Sequence, residues 1–194
     1  ADTTVREPSM VLFAGIVGVP WQDIAKNPSD LKQGFKNATE LAQPNANGID
    51  TWDIVLGDPA ANIPPADPFM IESITVRSGT NPVTGTPITA PGGALNPING
   101  NEWTIPKHDD LQYACIMDLP EARDCSVPGK YAGCDCEDVN NDNPLCEPGV
   151  SGDPTSQVRA KAYPGLRQLG VLKGLGDQGV VGSICPSQTT DAAA

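Results

Sequence analysis

Positive charge is scarce in this 194-residue chain: 12 Lys and Arg stand against 24 Asp and Glu, a formal net charge of −12. A field of that sign repels phosphate backbones and anionic lipid headgroups, so nucleic-acid binding is not expected. Long apolar runs are missing as well. None approaches the roughly 18 to 20 residues that a membrane-spanning helix requires, so no membrane span is expected. Residues 1–10 (ADTTVREPSM) have neither a basic start nor the apolar core of a signal peptide, and any export signal is expected to have been removed or to lie outside the chain. Histidine occurs once, at His108. No G-x-S-x-G elbow accompanies it, no C-x-x-C dithiol is present, and no internal repeat is found.

What the chain does have is cysteine, glycine and proline. The 20 Gly and 20 Pro make up about a fifth of the sequence, short of low-complexity disorder but enough to place much of the chain in loops. Six cysteines (Cys115, Cys125, Cys134, Cys136, Cys146 and Cys185) fit disulfides in an oxidising compartment, although six allow 15 pairings. Cys115 and Cys185 fall at or near strand ends and are expected to tie the loop region to the sheet. Cys134 and Cys136 are too close in sequence to pair easily with each other, so one is expected to reach back to Cys125 and the other onward to Cys146. The segment CDCEDVNNDNPLC (134–146) is then a stapled, solvated loop. A calcium ion held by Asp135, Asp138 and Asp142 is the alternative, since these are hard oxygen ligands, although the central glycine and ligand spacing of an EF-hand are absent. Zinc is disfavoured because the C-x-C pair has no second pair at metal-site spacing.

Hydrophobic patterning outlines an α/β chain. MVLFAGIVGV (10–19), closed by Pro20, reads as a central strand buried on both faces. In the following segment, Ser29 or Asp30 is placed to cap a helix with Leu31, Phe35, Ala38 and Leu41 on one face, ending before Pro44. IDTWDIVLGD (49–58) reads as a strand or a short helix. PFMIESITVRSG (68–79) reads as a half-buried strand with Ile74 and Val76 inward, and LQYACIMDL (111–119) as another strand. Residues 79–101 are too rich in Gly, Pro, Asn and Thr for a long regular element. Near the end, Leu166, Leu169, Leu172 and Leu175 step along a helical face between Pro164 and Gly176, and VVGSIC (180–185) follows as a short buried strand. The G-x-G-x-x-G formed by Gly174, Gly176 and Gly179 comes after a helix and before a strand. That order is the reverse of a dinucleotide-binding turn, so the motif is read as a helix stop.

Two stretches together, VLFAGIVGVP (11–20) and YPGLRQLGVLKGLGDQGVVGSIC (163–185), resemble the later strands and last helices of von Willebrand factor A-like domains of secreted or lipid-anchored bacterial surface proteins. The resemblance covers only the two ends of the chain. It implies a Rossmann-like sheet and, in complete members, a metal-ion-dependent adhesion site with a D-x-S-x-S loop, a later Thr and an Asp. This sequence has no D-x-S-x-S, and only Asp23 falls where the last carboxylate of such a site would lie. The resemblance therefore implies a chain that begins after the strand carrying that loop.

The expected protein is a single α/β domain or half-domain over residues 1–194, with a partial Rossmann-like sheet and a loop-rich, disulfide-stapled insertion over 79–153. Its expected role is non-catalytic binding or structure at a secreted, periplasmic or cell-surface location, with a protein or cell-envelope partner and no required cofactor beyond an optional Ca2+. The alternatives are a calcium-supported extracellular hydrolase built around His108, Asp109 and Asp110, and a subunit of a surface assembly.

Overall fold

The structure is a computed structural model, and it describes residues 10–88, 110–140 and 143–185. It is a mixed α/β arrangement with two separate sheets. Strand β1 (Phe13–Val17) pairs in parallel with β5 (Gly179–Ser183). Strands β2 (Cys115–Asp124), β3 (Cys146–Glu147) and β4 (Ser156–Ala162) form an antiparallel sheet in the order β2-β4-β3. Four helices accompany them among the described residues: α1 (Trp21–Ile24), α2 (Ala38–Leu41), α3 (Thr51–Val55) and α4 (Leu166–Leu175).

Helix α4 follows Gly165, buries Leu169 and Leu172, and stops where Gly176 takes φ +55. A side chain rarely adopts that conformation, so the glycine both ends the helix and turns the chain into β5. The two leucines enter a core with Val17, Val19 and Val181 from the strand region and with Trp52 and Val55 from α3. The α4–β1 contact is close because Gly15 lies directly beneath Leu172. A tighter crossing lies just after β1. Gly165 N–H donates to the Gly18 carbonyl at 2.8 Å, and a Cβ added at Gly18 would overlap the Tyr163 carbonyl oxygen. Gly18→Ala is therefore expected to cost about 2 kcal/mol by overpacking, read as a lowered urea midpoint.

The structure departs from the sequence expectations in five places, one being that VVGSIC (180–185) is not a buried strand, with Val180 50% and Ile184 47% exposed. The 10–19 segment is not a strand buried on both faces: Ile16 is 74% exposed and Leu12 70%, because β1 belongs to a two-stranded sheet with one covered face. The helix expected before Pro44 is split into a 3-10 turn (Leu31–Gln33) and α2. Gly34, at φ +75, breaks it, and Asn37 restarts it through a capping box with Glu40. No strand forms over 71–79. Ile74 is exposed, and the Ser73 and Ile74 carbonyls are bound by the backbone N–H and side chain of Gln112. Finally, β4 forms in SQVRAKA, which hydropathy did not mark. Its ladder with β2 slips between Asp118 and Arg123, where Pro120 has no N–H to donate.

Candidate functional site

Each end of the cysteine-rich region is held by side chains as well as by sulfur. The disulfides join Cys115 to Cys185, Cys125 to Cys134 and Cys136 to Cys146. The loop is docked onto β4 by buried Gln157, whose Oε1 accepts from Asp135 N–H at 2.9 Å. That docking brings Asp135 to Lys161. The Lys161 ammonium lies 2.8 Å from Asp135 Oδ1 and 2.8 Å from Asp110 Oδ2, with the rings of Tyr113 and Tyr163 at 5.4 and 5.2 Å. Tyr163 Oη donates to Asp110 at 2.8 Å, and Asn143 Nδ2 donates to Tyr113 Oη at 3.2 Å.

Burial by itself would favour neutral Lys161, but its hydrogen bonds to Asp110, Asp135 and Tyr163 outweigh that and raise its pKa above the ordinary lysine value. For Asp110 burial pulls upward, and the bonds from Lys161, Tyr163 and Leu111 N–H prevail and lower it. Burial raises the pKa of Tyr113. The node thus sets the Lys161 ammonium between the Asp110 and Asp135 carboxyl groups in an aromatic frame. Chemically it anchors the loop. It offers neither a free base nor a free nucleophile.

Asp23 lies elsewhere, on α1 just beyond β1. It is 7% exposed, and its Oδ2 is buried with no hydrogen-bond partner, while neighbouring Asp67 is 2% exposed. Burial, then the neighbouring Asp67, raises the Asp23 pKa well above the carboxylate range, with Lys36 opposing. Asp67 is anchored by Phe69 N–H at 2.9 Å and Asn81 Nδ2 at 3.1 Å. The Lys36 ammonium donates to the Asp23 backbone carbonyl at 2.8 Å and to Thr51 Oγ1 at 2.9 Å. A cleft of 350 Å³ nearby is lined by Lys26, Lys36, Glu40 and Thr51 among others, and its Lys26 and Glu40 are already paired at 3.0 Å. Asp138 accepts from Asn140 N–H in a local turn. His108, Asp109 and Asp142 lie outside the described residues. Among the described residues, no three His, Cys, Asp or Glu side chains converge as a metal group.

The third feature is apolar. Met10, Val11, Leu12, Phe13 and Ile16 on the β1 side, and Val180 and Ile184 on the β5 side, are exposed. No charged residue occurs between 10 and 22 or between 178 and 185. Among the described residues neither strand has a third neighbour. No family model, curated protein or solved structure matches the chain. The open strand pair escaped the sequence reading because continuous apolar runs signal buried strands. Among the described residues β1 pairs with β5 alone, 162 residues or more along the chain.

Proposed function

We propose that this protein is a non-catalytic binding or structural protein of the secreted or cell-surface type, and that the open β1–β5 pair is its working surface. The observation that carries the reading is the uncharged apolar face in a chain of net charge −12. Exposed apolar surface of this continuity marks interaction sites in soluble proteins. Three disulfides among the described residues fit an oxidising compartment. The von Willebrand A-like architecture belongs to the same proposal. It is supported by the helix-then-strand unit α4–β5 returning parallel to β1, with α4 on one face only. Doubly wound sheets of that kind are covered on both faces. Against a hydrolase around Asp110, both of its carboxylate oxygens are engaged by Lys161, Tyr163 and Leu111 N–H.

The test is a double substitution, Ile16→Lys with Val180→Lys, read by the emission of the neutral dye Nile red. Wild type is expected to enhance dye emission, and the variant to lose most of that enhancement. Its melting temperature should stay within about 2 °C of wild type, because exposed substitutions cost little. Equal dye emission from the two proteins would defeat the reading.

A further inference from the structure

We infer that the cleft beside α2 captures a small uncharged aldehyde, held covalently as an imine on Lys36. The inference stands apart from the β1–β5 surface and starts from how the Lys36 side chain is fixed. Its backbone N–H donates to the Ile24 carbonyl at 2.8 Å, and its Nζ donates to the Asp23 carbonyl at 2.8 Å and to Thr51 Oγ1 at 2.9 Å. The nitrogen is thereby pinned between α1 and the first residue of α3. Both acceptors are neutral, and no described carboxylate forms an ion pair with Lys36. A tetrahedral nitrogen bound to Cε and engaged by two acceptors has one direction left, and Lys36 lines the 350 Å³ cleft. In the amine form that direction holds the nucleophilic lone pair. Burial lowers the Lys36 pKa, against the opposing pull of Asp23 and Glu40, and so enlarges the amine fraction.

The chemistry of the ligand follows from the lining. Lys26 and Lys36 are balanced there by Glu40 and Asp50, and the chain as a whole carries −12, so the field does not draw in an anion. Ile49 and Ile54 give the cleft an apolar side, and its volume is at the lower end for a small-molecule site. A short uncharged carbon chain fits it. An acyl donor would need a leaving group and donors for its oxyanion, whereas an aldehyde needs neither. The Lys36 amine adds to the carbonyl carbon, forming the C–N bond as the π pair moves to oxygen. One N–H proton passes to that oxygen, and the second leaves with the hydroxyl as water, giving C=N with no oxidant or reductant consumed. Thr51 accepts from Nζ and keeps its own O–H to donate to the departing oxygen. Protonation of the imine by solvent restores one N–H for the Asp23 carbonyl.

The experiment treats the intact protein with propanal and sodium cyanoborohydride, which reduces the imine to a stable propylamine, and locates the adduct by peptide mass. Lys36 is expected to be propylated about tenfold faster than Lys32, an exposed lysine in the neighbouring 3-10 turn. Without the reductant the adduct should be lost on dialysis, as a reversible imine requires. Gln43→Trp narrows the cleft from its exposed rim. It should bring the Lys36 rate down to that of Lys32 and leave the Lys32 rate and the melting temperature unchanged. Equal rates at the two lysines in the wild type overturn the inference. A fast Lys36 adduct that Gln43→Trp leaves untouched overturns it as well, because the cleft would then play no part in the capture.

Discussion

Replacing Cys115 and Cys185 together by alanine is expected to lower stability by about 4 kcal/mol, and the melting temperature by roughly 10 °C. The bridge closes a sequence separation of 70. In the chain-entropy view a cross-link of that span removes far more freedom from the unfolded chain than the separations of 9 and 10 closed by Cys125–Cys134 and Cys136–Cys146. Each of those is worth about 3 kcal/mol on the same scale. The native state adds a second reason. Cys115 opens β2 and Cys185 follows β5, so this bond is the covalent tie between the two sheets. Both cysteines are buried with Ala162, against Trp21 and Met117, so alanine also leaves a small cavity there. Removing either short bridge should instead loosen residues 125–146 locally and leave the β1–α4–β5 unit intact. Urea unfolding of the three double-alanine variants, with amide exchange to locate the loosening, would check the ranking. Equal losses from all three would refute it.

The same bridges mark how far the sequence could be read. Cys115 and Cys185 lie beside apolar runs whose strand character is evident, and an α/β unit brings such ends together. The closeness of Cys134 to Cys136 forces them apart. Helix α4 was legible for the same kind of reason: its leucines repeat at helical spacing and Gly176 supplies the stop. Strand β4 was not. One of its faces carries Gln157, Arg159 and Lys161, and that polarity is meaningful only once Asp118, Glu147, Asp110 and Asp135 stand opposite. Lys161 meets Asp110 across 51 residues, a contact that no local pattern announces. The nearness of Asp23 to Asp67 is hidden in the same way, since 44 residues separate them, and Asp67 caps a 3-10 turn. The open face of β1 inverts the usual inference, because apolarity was legible but what covers it is not encoded in the strand's own residues.

Lys161→Met should produce the largest loss of any single substitution in the antiparallel half. Methionine keeps most of the aliphatic stem and removes the ammonium, which lies 5.4 and 5.2 Å from the Tyr113 and Tyr163 rings. What remains is two carboxylates, Asp110 and Asp135, that shared one ammonium at 2.8 Å each. Stranding a fully buried partner costs about 3–5 kcal/mol. Here the side chains of Lys161, Asp110 and Asp135 are 18, 27 and 28% exposed, so solvent screens part of the cost, and about 2 kcal/mol is expected. Adding Asp110→Asn and Asp135→Asn to Lys161→Met should restore roughly half of the loss, because neutral amides can bond to one another and to Tyr163. The pH dependence has a definite sign. The folded Asp110 pKa lies below its ordinary value of 3.8, so its contribution is present above that value and is lost as pH falls through the folded pKa. The folded Lys161 pKa lies above 10.5, so its contribution is complete below 10.5 and is lost only as pH rises through the folded value. The gap between wild type and Lys161→Met should therefore be flat from about pH 5 to 9 and narrow toward acid as Asp110 takes up a proton. Urea midpoints measured from pH 2.5 to 9 would decide it, and a gap that persists undiminished at the acid end would show that Lys161 acts through packing alone.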